Sequence, residues 1–151
     1  MTNNEALWHW CLQVYEREGV PALCLQAQDE YGADVCLLLC ALWLEQRGAT
    51  PQPGRRMALV ACASDWQKRV VKPLRNLRRE WKAAAQEDPA LARLRQQLQR
   101  LEIEAERELL ERLQALASHW PVENAGSDWL GGLLPQLPIG LQQGLRRLAQ
   151  S

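Results

Sequence analysis

Apolar positions recur at helical spacing along most of the chain, and in one place the alternation stops. Val35, Cys36, Leu37, Leu38, Leu39, Cys40, Ala41, Leu42, Trp43 and Leu44 form an unbroken apolar run. A helix that is apolar on every side is stable only when other elements surround it, so the run predicts a central helix over 35–47 sheathed by the rest of the chain. Upstream, Leu7, Trp8, Cys11, Val14 and Tyr15 share one face of a helix expected from Glu5 to about Glu18, with Asn4 as its cap and Gly19 past its end. A second helix opens around Pro21, turns Leu23, Cys24 and Ala27 inward and ends at Gly32. Asp34 then caps the central helix, and Gly48 stops it.

Downstream, Thr50 to Gly54 reads as a loop, followed by a helical segment over 55–63. Ser64 is expected to cap the next helix, which runs to about Gln86 and which Pro73 should kink or divide, because proline lacks a backbone donor. At 100° per residue Trp66, Val70, Leu74, Leu77 and Trp81 fall on one side of it, and Lys68, Lys72, Arg75, Arg79 and Lys82 form a basic stripe on the other. Asp88 and Pro89 give a strong start signal for the longest helix, 89–118. Its apolar stripe, Leu94, Leu98, Leu101, Ala105, Leu109, Leu113, Leu116 and Trp120, has a mean spacing of about 3.7 residues, which favours a straight packed helix over a zipper. The pattern predicts an all-α fold, a single-domain helical bundle of about five to seven helices around the central one. A core domain is expected over 1–120, and 121–151 as an irregular Gly/Pro/Leu-rich tail ending in a short helix from Ile139 to Ala149.

Composition narrows the class. A chain of 151 residues fits one domain of ordinary core size. Its zero net charge hides an uneven distribution: two basic and seven acidic side chains over 1–50, nine and two over 51–85, seven and nine over 86–151. The five cysteines, an odd number set mostly in apolar helical stretches, read as reduced thiols and a cytoplasmic location. No basic leader precedes the first apolar stretch, and a ten-residue apolar run is too short to span a bilayer, so neither a signal peptide nor a membrane span is expected.

Residues 8–44 resemble a family of short, helical, uncharacterised proteobacterial proteins known only as a domain of unknown function. The resemblance is carried by Trp8 to Trp10, Val14, Tyr15, Gly19, Val20, Cys24, Leu25, Gln28, Asp29, Gly32, Asp34, Val35, Leu37 to Leu39, Trp43 and Leu44. A second stretch, Trp66, Val70, Val71, Pro73, Leu74, Arg75 and Arg79, extends it to about residue 82. The family pattern has Asn where this chain has Cys36. The resemblance implies a helical fold and no activity.

Candidate chemistry is sparse. Cys36 and Cys40 share a helix face but lack the close ligand pairs on turns that zinc sites use, and read as core thiols; no metal or cofactor is expected. His9 and His119 are the only histidines, and no serine sits in a nucleophile elbow, so no catalytic constellation is recognised and the protein is read as a non-enzyme. Asp29 and Asp34 are expected to pair internally with Arg75 and Arg78. The basic stripe and the apolar tail residues Trp129, Leu130, Leu133 and Leu134 are the candidate partner-binding surfaces; the alternative for the stripe is a solvated or internally paired face, and for the tail a segment that folds back over a groove in the bundle. The expected function is therefore a cytoplasmic interaction or adaptor protein binding another protein. The rival is a small ligand-binding or enzymatic bundle using Asp29, Asp34 and Arg75 on a phosphorylated ligand. A third reading is weak nucleic-acid binding, disfavoured because no aromatic side chain interrupts the stripe to stack a base.

Overall fold

The computed structural model describes residues 6–123 and 127–150. The expected Asn4 cap lies outside them. Helix α1 (Leu7–Tyr15) is shorter than its apolar pattern suggests and is followed by α2 (Val20–Tyr31), α3 (Val35–Arg47) and α4 (Pro53–Trp66). A π turn over Gln67–Val71 leads directly into α5 (Lys72–Glu80) and the single turn α6 (Lys82–Ala85). The long α7 (Pro89–Ala117) comes next, then α8 (Trp129–Leu133) and α9 (Ile139–Gln150). Among the described residues the one extended pairing is an isolated antiparallel bridge between Ala49 and Val122. The fold is all-α, in one domain, a bundle around α3 with one long helix as the pattern predicts; the break at Trp81 sets off α6, and α8 adds a turn in the tail.

Punctuation of the first three helices is local. Gly19 (φ 92°), Gly32 (φ 65°) and Gly48 (φ 75°) occupy the left-handed region, where a side chain would be strained, and so mark the corners. The Asp34 carboxylate accepts from the backbone N–H groups of Cys36 and Leu37 at 2.9 and 3.3 Å, and Asp88 does the same for Ala90 and Leu91 at the start of α7. Every residue from Cys36 to Leu44 is buried. The burial follows from the neighbours of α3, which packs against α1, α2, α4, α7, α8 and α9.

The tail folds back over the bundle, and its last helix, α9, stands where the pattern places it. Trp129 and Leu130 are wholly inaccessible, Leu133 and Leu134 are buried, and all four belong to the same core as α3. Trp129 stacks on Trp120 with ring centroids 5.5 Å apart, and its indole N–H donates to the Ala49 carbonyl at 2.7 Å. Glu45 of α3 accepts from the Leu130 N–H at 2.8 Å and takes the Arg146 guanidinium in a two-pronged bond at 2.8 and 3.0 Å. Arg17 donates to the carbonyls of Leu148 and Ala149, which ties α9 to the α1–α2 corner. The proposed apolar docking surface at 129–134 is thus interior. The segment is the lid of the core, because α3 has an apolar face left over that α1, α2 and α7 do not cover.

Two further expectations are corrected. Ser64 lies inside α4 and caps nothing, since the helix continues through it to Trp66. On α7, Leu94, Leu101 and Leu116 are exposed, while Leu98, Glu102, Ala105, Leu109, Leu110 and Leu113 face inward. The buried stripe is therefore rotated from the predicted one and contains a carboxylate.

Candidate functional site

Pro73 explains how the site is built. Its ring would clash with the carbonyl four residues back and it offers no N–H. The helix meets this by widening into a π turn just upstream, with the Lys72 N–H donating to the Gln67 carbonyl five residues back. One extra residue in the turn shifts the phase of the helix beyond it, so the 100° projection across 66–82 fails. Gln67 and Val71 are the buried residues of this stretch while Trp66 and Val70 are half-buried beside them, and the five-residue basic stripe is split.

Lys68, Lys72, Arg75 and Arg79 reach one cleft, of about 840 Å³, whereas Lys82 belongs to a smaller groove between α6 and α7. The opposite wall of the cleft comes from the α2–α3 corner, with Gln28, Asp29, Gly32 and Asp34. Cys36, Ala63 and Glu106 form part of its floor. The structure thus brings together Asp29, Asp34, Lys68, Lys72, Arg75 and Arg79 from the sequence prediction, and leaves out Arg78 and Lys82.

The expected pairing of Asp29 and Asp34 with Arg75 and Arg78 does not form. Arg75 donates to Glu102 at 3.0 Å and to Glu106 at 3.3 Å, and Arg78 donates to the two oxygens of Glu102 at 2.6 and 3.4 Å. The phase set by the π turn points both arginines at α7, and Glu102, only 7% exposed, is the carboxylate they meet. Burial works to raise the Glu102 pKa, but the hydrogen bonds and charges of Arg78 and Arg75 outweigh it and hold the carboxyl below its ordinary value. Two more contacts fix this helix on α7: the Trp66 indole N–H donates to Ala105 O at 2.8 Å, and the Arg112 guanidinium lies 3.9 Å above the Trp66 ring.

Asp34 has a different environment. Its Oδ1 accepts the two capping N–H groups and also Gln67 Nε2 at 3.2 Å, a bond that joins the two walls. Burial raises its pKa, partly offset by those hydrogen bonds and by the field of Arg75, which reaches Asp34 without an ion pair. Burial likewise raises Glu106 against the pull of Arg75. Among the described residues no ion pair involves Asp29, Asp34, Lys68, Lys72 or Arg79.

Burial works against thiolate formation at the cysteines of the core. Cys36 in the cleft floor has its thiol pushed well up by burial, with Asp34 and Glu106 adding to the effect, and Cys24 is pushed up to about 12. His9 and His119 are exposed, and neither lines the cleft. No group of three or more metal-ligating side chains occurs among the described residues.

Sequence reasoning missed Gln67, Glu102 and Glu106. Gln67 carried only a weak signal: it follows the buried Leu59 and Ala63 of α4 at four-residue steps, but a polar residue in that phase does not announce itself. Glu102 did carry one: it sits four residues after Leu98 and three before Ala105, in the phase of the buried stripe.

A family model described as "Protein of unknown function (DUF2390)" matches residues 6–113. The chain belongs to this family. The span matched by DUF2390 contains every residue lining the cleft, from Gln28 to Glu106, and ends before α8 and α9. No match to the chain is found among curated proteins or solved structures.

Proposed function

We propose that the protein is a ligand-binding helical bundle whose cleft between the α2–α3 corner and α5 takes a small phosphorylated ligand. The observation that carries the reading is the set of three cations, Lys68, Lys72 and Arg79, gathered in a concave site without ion-pair partners among the described residues. A volume of about 840 Å³ lies within the usual range for small-molecule sites. Lysine and arginine bind phosphate through charge-assisted hydrogen bonds, and Arg75 sits behind them with its guanidinium already fixed by Glu102 and Glu106. The π turn adds support, because such turns inside α-helices occur frequently at functional sites.

The adaptor reading relied on the basic face, the apolar tail or both. The tail is interior, and the basic groups line a concavity instead of a flat face. Five unpaired cysteines suit a cytoplasmic setting for this binding protein.

Titration of the 15N-labelled full chain with pyrophosphate, followed by NMR and by thermal melting, tests the reading. Resonances of 28–36 and 64–79 should shift and the melting temperature should rise with ligand. Both responses should be lost in the Lys68→Ala/Lys72→Ala variant. Shifts spread evenly over exposed lysines and arginines, or a response that survives in the double variant, would refute it. Retardation of a single-stranded oligonucleotide that depends on Lys68 and Lys72, with no response to pyrophosphate, would transfer the site to nucleic acid.

A further inference from the structure

We propose that the ligand is dipolar: a soluble phosphate monoester that also carries an ammonium group, its phosphate on Lys68, Lys72 and Arg79 and its nitrogen on Asp34 and Asp29. The inference rests on the phosphate-binding reading and adds the second pole.

The acidic wall, like the basic one, makes no ion pair among the described residues. Asp34 Oδ1 is fully used by the Cys36, Leu37 and Gln67 donors, whereas Oδ2 has no hydrogen-bond donor among the described residues. Gln67 is itself buried and comes from the facing wall, so it clamps Oδ1, and Asp34 lines the cleft with its second oxygen not engaged by a protein donor among the described residues. Asp29 is exposed at the end of α2 and makes no ion pair among the described residues. Arg75, whose field reaches Asp34, is committed to Glu102 and Glu106 and makes no ion pair with this wall.

A bare phosphate would satisfy one wall while facing two carboxylates across the cleft. A monoester amine gives each wall its counter-charge. It also matches the net balance: three unpaired cations against two unpaired carboxylates leave one positive charge, and a phosphate of nearly −2 with one ammonium carries about one negative charge. A phospholipid headgroup shares the chemistry but offers a diester with a single negative charge, and its acyl chains would have to leave a polar-walled cleft.

The test compares O-phosphoethanolamine, ethyl phosphate and pyrophosphate by NMR titration of the full chain, alongside flotation with phosphatidylethanolamine vesicles. Wild type should bind phosphoethanolamine about tenfold more tightly than ethyl phosphate. The Asp29→Asn/Asp34→Asn variant should bind ethyl phosphate at least as well and lose the preference. Asparagine caps a helix as well as aspartate does, so α3 keeps its start in that variant. Equal wild-type affinity for the two esters, or a preference that survives in the variant, overturns the dipolar ligand and leaves the phosphate reading standing. No response to any of the three phosphates removes both. Flotation with vesicles without binding of the soluble ester overturns the soluble source.

Discussion

Replacing Glu102 by Gln tests how the cleft's basic wall is held. The carboxylate is 7% exposed and receives three hydrogen bonds, one from Arg75 Nε and two from Arg78. Glutamine preserves the volume but offers a single acceptor oxygen, and its amide N–H groups confront a guanidinium that has only donors. Removing one partner of a fully buried ion pair costs about 3–5 kcal/mol. Here Arg75 and Arg78 are 18% and 25% exposed, and Arg75 keeps Glu106 at 3.3 Å, so part of the loss is recovered through water and the second carboxylate. The expected loss is about 2–3 kcal/mol. For a domain of this size that is a fall in melting temperature of roughly 5–10 °C. Urea unfolding and thermal melts followed by circular dichroism at pH 7 measure it. The pH dependence supplies a second arm. The folded-state pKa of Glu102 is depressed, so its stabilisation is fully present above the unfolded value of about 4.3 and is lost as pH falls through the lower folded value. The gap between wild type and Glu102→Gln should therefore narrow on acidification below about pH 4. A variant within about 0.5 kcal/mol of wild type at pH 7 would refute the bridge, as would a gap that widens in acid.

The remaining predictions concern the neighbouring carboxylate and the tail. Glu106→Gln should be neutral or slightly stabilising at pH 7, because burial raises the folded-state pKa. The ionised group opposes folding as pH rises from about 4.3 through that raised value, and a loss above about 1 kcal/mol by urea titration at pH 7 would contradict this. Trp129→Ala should cost about 4–5 kcal/mol, the sum of a large buried cavity and an orphaned Ala49 carbonyl, whereas Trp129→Phe should cost only about 1–2. A Trp129→Ala protein with wild-type melting would return residues 129–134 to the surface and reopen the docking reading.

The features legible in the sequence are those decided within a few residues. The caps at Asp34 and Asp88, the glycine corners at 32 and 48 and the wholly apolar run of α3 each depend on local geometry or local composition, and their helices begin and end where those signals stand. The fate of Trp129 depends on Ala49, Trp120 and Glu45, most of which lie far away in the chain, so the same apolar segment reads equally as a docking surface or as the last layer of the core. For the site, the residue types and their gathering were legible, but the pairing was not. Counting charge by segment made the acidic first third the natural partner of the basic middle. The carboxylates that actually pair come from the third segment, on a helix whose inward phase the leucine pattern placed slightly wrong.

One proline links these misreadings to the site itself. Had 66–82 been a regular α-helix, Lys68, Lys72, Arg75, Arg79 and Lys82 would have shared one stripe at 100° per residue. The π turn before Pro73 breaks that stripe at a defined point. It aims Arg75 and Arg78 at Glu102, where they are neutralised and anchor α5, and leaves Lys68, Lys72 and Arg79 uncompensated around the cleft. At the start of that turn the buried Gln67 donates to Asp34, which commits one carboxylate oxygen to structure. A single backbone irregularity thus separates the charges that hold the fold from the charges available to bind, and does so within the span common to the family.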